Sequence, residues 1–135
     1  VLSQTAEYAL RAVLTLATEP SGQMDAARLA AQLGVPRNYL SKTLHQLARA
    51  GILQSSRGKA GGFRLGRAAA RITLLEIVSP FDDISARRVC LLGRPVCSDH
   101  SACPAHYLWK TVSERNAEFF RETTVADLTT RRERS

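Results

Sequence analysis

The stretch Asp25-Ala-Ala-Arg-Leu-Ala-Ala-Gln-Leu-Gly34-Val-Pro36-Arg-Asn-Tyr-Leu-Ser-Lys-Thr-Leu-His-Gln-Leu-Ala-Arg-Ala50-Gly51 holds two short amphipathic helices and the break between them. Asp25 suits an N-cap, and Ala26, Leu29, Ala30 and Leu33 repeat at helical spacing. Gly34 supplies the stop. Val35-Pro36 then opens a second helix, because proline belongs in a first turn, where its missing N–H leaves no bond unmade. That helix runs from about Pro36 to Ala50 and turns Leu40, Leu44 and Leu47 inward. Its other face carries Arg37, Asn38, Ser41, Lys42, His45 and Arg49. Two short helices joined by a glycine-containing turn, the second with a basic polar face, form a helix-turn-helix pattern.

The flanking segments extend this reading. Ahead of it, Ser3 or Thr5 caps a first helix in which Leu10, Val13, Leu14 and Ala17 form one apolar stripe, ended by Glu19-Pro20-Ser21-Gly22. Behind it, residues 52–55 and 62–65 pair as a hairpin around Ser56-Arg57-Gly58-Lys59-Ala60-Gly61. The glycines allow positive φ and close backbone approach, and Arg57 and Lys59 put charge at the tip. This is a wing. Without a Gly-Lys-Ser/Thr ending or a following βαβ pattern, a nucleotide phosphate loop is the weaker reading of the glycines.

Charge agrees. The chain of 135 residues carries a net +7. Residues 1–67 hold nine Lys/Arg against three carboxylates, a net +6, while residues 68–135 hold ten against nine, a net +1. A strongly basic half joined to a nearly neutral one is the footprint of a nucleic-acid binder. Phosphates are met by wing cations, base edges by the exposed face of the second helix of the motif. The expected DNA-contacting set is Arg28, Pro36, Arg37, Asn38, Tyr39, Ser41, Lys42 and His45, with Arg57, Gly58, Lys59, Gly61 and Gly62 from the wing.

No apolar run is long enough to span a membrane. Val1–Thr18 is periodic and lacks the flanks of a signal peptide, which points to the cytoplasm. All three cysteines fall within fourteen residues, in Cys90-x6-Cys97-x5-Cys103-x2-His106. In a reducing compartment, clustered thiols read as ligands or redox centres rather than structural disulfides. Gly93, Pro95 and Pro104 make the stretch a loop, and His106 lies one helical turn past Cys103. Three thiolates with a histidine suit an iron–sulfur cluster. Structural zinc usually takes paired C-x2-4-C knuckles, absent here. A thiol switch, with Arg87, Arg88 and Arg94 lowering thiol pKa values, stays open, as does a stretch without ligands. His100 reads as a surface residue. Cys103 and His106 have no third orienting residue or oxyanion element, so the chain is read as a non-enzyme.

Residues 72–78 predict a short helix capped by Thr73 and stopped by Ser79-Pro80. From about Pro104 to Glu122 a long helix is expected to bury Leu108, Trp109, Val112, Phe119 and Phe120, a stripe suited to a dimer interface or to packing on its own domain. The tail Arg131-Arg-Glu-Arg134 is expected to lie outside the ordered fold.

Several separate motifs in order carry a resemblance. Leu2-Ser-Gln-Thr-Ala-Glu-Tyr-Ala-Leu-Arg-Ala, Leu29-Ala-Ala-Gln-Leu-Gly-Val-Pro-Arg-Asn-Tyr-Leu-Ser-Lys, Gly51-Ile-Leu and Arg57-Gly-Lys-Ala-Gly-Gly-Phe-Arg-Leu resemble the Rrf-two family of winged-helix transcriptional regulators, which includes IscR, NsrR, RirA and CymR. The likeness spans nearly the whole chain, up to Thr124-Val-Ala-Asp-Leu128. It implies a mainly α fold, a winged helix-turn-helix over 1–67 and, over 68–135, a cluster-binding loop and a long C-terminal dimerisation helix. It also implies a homodimer on a near-palindromic DNA operator, acting as a repressor or activator. The cysteines resemble the IscR pattern of three cysteines and a histidine around a 2Fe-2S cluster, with one extra residue in the first interval. Glu7 resembles the acidic ligand that NsrR-type relatives supply from the partner's first helix, which implies a 4Fe-4S cluster and leaves His106 free. Cluster assembly, loss, oxidation or nitrosylation would reorder the loop and change the spacing of the two heads against half-sites about 34 Å apart. The alternatives are a cluster-free regulator with a thiol switch and a partner-dependent, CymR-like regulator.

Overall fold

The computed structural model describes residues 2–57, 61–82 and 105–132. α1 (Gln4–Thr18) is central to them and packs against α2 (Ala26–Leu33), α3 (Arg37–Arg49), α4 (Leu74–Val78), α6 (Val125–Arg132) and strand β2 (Gly62–Leu65). Its fully buried residues are Ala6, Ala9, Ala12, Val13 and Leu16. The stripe expected from the sequence is therefore corrected: of its four members only Val13 is fully buried, and Leu10, Leu14 and Ala17 are partly covered. A helix surrounded by neighbours uses alanines on its most crowded face, where larger side chains would hold the backbones apart.

Local rules explain where several helices begin and end. Ser3 accepts the Ala6 N–H at 3.1 Å to start α1, and Asp25 accepts the Arg28 N–H at 2.7 Å to start α2. α2 ends at Gly34 in the left-handed region, φ 71°, a conformation that penalises any Cβ. Pro36 stands one position earlier than expected: it is the N-cap of α3, with ψ 133°, rather than a member of its first turn. Leu40, Leu44 and Leu47 are fully buried as predicted.

The wing is antiparallel, β1 (Leu53–Ser56) pairing with β2 in the register Leu53↔Leu65 to Ser56↔Gly62, one residue later on the first strand than expected. A third edge was not foreseen. Met24 bridges Phe63, with backbone bonds of 2.8 and 3.1 Å, so the start of α2 is laced to the wing.

Thr73 caps α4 with a full capping box to Glu76. α5 runs over His106–Glu122, starting after Ala105 rather than at Pro104. α6 extends to Arg132, against the expectation that the chain has left the fold by residue 131. Thr124 and Asp127 exchange bonds at its start, the Asp127 carboxylate accepting the Thr124 N–H at 2.9 Å and the Thr124 hydroxyl accepting the Asp127 N–H at 3.2 Å. A Thr73–Thr124 bridge then ties the end of α5 back to the start of α4.

Candidate nucleic-acid interface

α3 presents a continuous exposed face because its buried leucines take the opposite side. Arg37, Asn38, Lys42, His45 and Arg49 are exposed and Ser41 is half-buried. His45 meets the wing: its ring lies edge-on to Phe63 of β2, centroids 5.4 Å apart. The wing's outer surface carries Arg64, whose Nε donates to Gln54 Oε1 across the hairpin at 3.2 Å, and exposed Arg57 at its rim. The recognition-type helix and the wing thus share one edge, joined through His45, Phe63 and Met24. Gly61 and Gly62 close the wing on that side. At Gly62 a Cβ would lie 2.6 Å from the Met24 carbonyl oxygen, so this glycine is required by close backbone approach. Gly58 and Lys59 lie outside the described residues.

Two members of the expected set have partners inside the chain. Arg28, on α2, makes an ion pair with Glu19 at 3.5 Å and lines an open cleft with Ser21, Gln23, Met24, Asp25 and Gly61. Tyr39 is turned toward α1: its hydroxyl shares a hydrogen bond with Thr5 Oγ1, and its ring meets Tyr8 at 89° with centroids 5.6 Å apart. Pro36 is exposed at the head of α3. The α1 contribution through Thr5 and Tyr8 was not read from the sequence, although Gln4, Tyr8 and Arg11 at i, i+4, i+7 mark a polar-aromatic face.

The metal-ligand expectation falls largely outside this geometry. Cys90, Cys97 and Cys103 lie outside the described residues, and so does the side chain of His106, whose backbone opens α5. Glu7 is exposed in the first turn of α1. No group of three or more potential metal ligands occurs among the described residues. α5 divides the apolar stripe expected along it, and the single chain covers only part of it. Phe120 is buried, but Leu108 is 81% exposed, Val112 47% and Phe119 50%. These three fall within about 40° of one another around the helix axis at 3.6 residues per turn, so within a single chain they form an uncovered apolar stripe.

A helix-turn-helix flanked by a two-stranded wing, with a basic polar face on its second helix, defines a winged-helix DNA-binding transcriptional regulator. Comparison with known proteins agrees and goes further. The profile of the Rrf2 family, described as iron-dependent transcriptional regulators, matches residues 2–131, and the chain belongs to that family. A protein of Aquifex aeolicus described as an HTH-type transcriptional regulator is 32% identical over 130 residues, covering 95% of this chain and 90% of that one. The regulator IscR of Erwinia tasmaniensis is 29% identical, covering 98% and 80%. The structure of CymR, the global cysteine regulator of B. subtilis, superposes with a TM-score of 0.78 at 25% identity, covering 96% of both chains. The chain is a transcriptional regulator and not an enzyme. No described helix is long and apolar enough to cross a membrane.

Proposed function

We propose that the protein is a homodimeric regulator that senses iron–sulfur status, nitric oxide or redox state through an iron–sulfur cluster at Cys90, Cys97 and Cys103, and acts as a repressor on a near-palindromic operator. The observation that carries the DNA-binding half is the shared edge of α3 and the wing. There Arg37, Asn38 and Lys42 of α3 and Arg57 of the wing are exposed, and His45 meets Phe63 edge-on. In this reading Asn38 and Arg37 reach base edges, and Arg57, Lys59 and Lys42 neutralise phosphates. Residues 1–67 supply the head, and residues 68–135 the sensor loop and the dimer contact.

The donor chemistry fits a cluster: three thiolates within fourteen residues are what such a centre takes. When bound, it supplies one-electron chemistry and a target for oxidants and nitric oxide. His106 is the favoured fourth ligand, for a 2Fe-2S cluster, and the partner subunit's Glu7 the alternative, for a 4Fe-4S cluster. The second reading is a cluster-free regulator, with the same cysteines as a thiol switch or with a protein partner setting the output, and the superposition on CymR, a cysteine regulator, is what supports it.

Two measurements on one anaerobic preparation test this. R57A is expected to weaken binding to all DNA sequences alike and to lower the salt slope by about 1; unchanged affinity and slope would remove the wing from the interface. Visible absorption with matching iron and acid-labile sulfide, lost in C97S, is expected of the cluster. A colourless wild type that resists reconstitution would transfer the cysteines to thiol chemistry.

A further inference from the structure

α3 lacks a cap of its own. Pro36 stands at its N-cap position and offers no side-chain acceptor, whereas α1 and α2 are capped by Ser3 and Asp25. The first turn of the helix that presents Arg37 and Asn38 is instead held from outside, by α1. Tyr39, in that turn, shares its hydroxyl hydrogen bond with Thr5 and sets its ring edge-on against Tyr8. The Arg11 guanidinium lies 5.9 Å from the Tyr8 ring centre and donates to the Leu33 carbonyl at 3.0 Å, at the end of α2. One face of α1 therefore grips both sides of the helix-turn-helix break.

The same end of α1 is tied to the second half of the chain. Asp82 Oδ2 accepts the Ser3 backbone N–H at 2.8 Å. Asp82 is itself placed by α4, since its own N–H donates to the Val78 carbonyl at 2.8 Å. In sequence it directly precedes residues 83–104, which carry the three cysteines. The path from that point to the recognition helix is short: one hydrogen bond to Ser3, two residues of chain to Thr5, and one hydrogen bond to Tyr39.

We propose that Asp82, Ser3, Thr5 and Tyr39 form a relay through the first turn of α1, by which the segment after Asp82 sets the pose of the first turn of α3. Asp82 and Tyr39 are positioning residues for DNA recognition, acting on Arg37 and Asn38 rather than on the bases. The relay rests on the reading of residues 83–104 as the sensor, and it names the route inside one subunit. A hydrogen bond is lost once donor and acceptor part by a few tenths of an ångström beyond about 3.2 Å. A small displacement of Asp82 is then enough to release the Ser3 amide and, with it, the turn that holds Tyr39.

The test is amide hydrogen exchange on the full chain without DNA and without metal. Wild type is compared with D82A, D82N, T5V, T5S, Y39F and the double variant D82A/Y39F. In D82A the amides of Leu40 to Leu44 are expected to exchange about two- to tenfold faster, the effect of losing one hydrogen bond. T5V and Y39F should do the same, while T5S and D82N, which keep the hydroxyl and an acceptor oxygen, stay near wild type. Adding D82A to Y39F should change α3 no further. Coupling is reciprocal, so T5V and Y39F should also speed exchange at the Asp82 amide, a readout that survives if D82A itself fails to fold. Faster exchange confined to α1 in D82A, an undiminished D82A effect in Y39F, or an Asp82 amide indifferent to T5V and Y39F would each overturn the relay. A chain without a cluster would refute the sensor reading but leave these exchange results unaffected.

Discussion

Glu76 occupies the third position of α4, where its carboxylate accepts the Thr73 N–H at 3.1 Å and an Arg67 N–H at 2.7 Å. Partial burial is the largest single influence and works to raise its pKa. The hydrogen bond from Arg67, the Thr73 backbone bond, the charge of Arg67 and the Thr73 hydroxyl together outweigh it and hold the carboxyl below its ordinary value of 4.5. The sign of the linkage follows. A carboxylate with a lowered folded pKa contributes stability that is fully present above its unfolded value and is lost as pH falls through the folded one. Thermal melting is thus expected to be insensitive to this group above about pH 5 and to fall below about pH 4. E76Q should remove that share of the acid dependence and lower stability at pH 7 by under about 1 kcal/mol, the pair with Arg67 being solvent-facing. An acid limb identical in E76Q and wild type would show that the cap does not titrate as described.

At the scale of elements, the wing is held by a contact that no helix supplies. Phe63 and Met24 exchange backbone bonds, and Gly62 lies directly over the Met24 carbonyl. A Cβ at 62 would stand 2.8 Å from the Met24 carbonyl carbon and 3.0 Å from the Asp25 nitrogen, with φ at 151°. Backbone atoms of a capped helix start cannot step aside as a flexible side chain can. G62A is expected to destabilise the protein by about 1–3 kcal/mol in chemical denaturation. It should also weaken DNA binding more than that loss of folded fraction explains, because the wing would hinge away from His45 and α3. Wild-type stability in G62A would mean that the bridge yields without penalty.

For the whole molecule, the exposed stripe of Leu108, Val112 and Phe119 is a clear departure from a self-contained core among the described residues. Phe120, next along the chain, is buried and packs edge-on against Phe119 at 5.4 Å, so the two rings divide between inside and outside. An uncovered apolar row on a seventeen-residue helix is what a second copy would bury. The double substitution L108E/F119E is expected to give a folded monomer by light scattering, with helical circular dichroism unchanged. Operator affinity should fall by about a hundredfold as the two heads lose their linkage. A dimer that survives both glutamates would place the interface elsewhere.

Much of this is legible in the sequence because it is local. Asp25, Gly34 and Thr73 mark helix ends through bonds made within four residues, Pro36 does so through its fixed φ, and Leu40, Leu44 and Leu47 share a face by period alone. The wing's glycine-rich tip and its hairpin likewise read from neighbours in the chain, whereas the need for glycine at 62 comes from Met24. α6 was legible too, in Thr124-x-x-Asp127, but its short capped start was overlooked beside a basic tail. What only tertiary structure decided are the contacts between residues far apart in sequence. These are the alanine face of α1, the Met24 bridge to Phe63, Tyr39 turned to Thr5 across 34 residues and Asp82 on Ser3 across 79. Periodicity states which side of a helix is apolar, not which neighbours surround it. A polar side chain such as Tyr39 or Arg28 shows no partner within the chain until the fold brings Thr5 or Glu19 beside it.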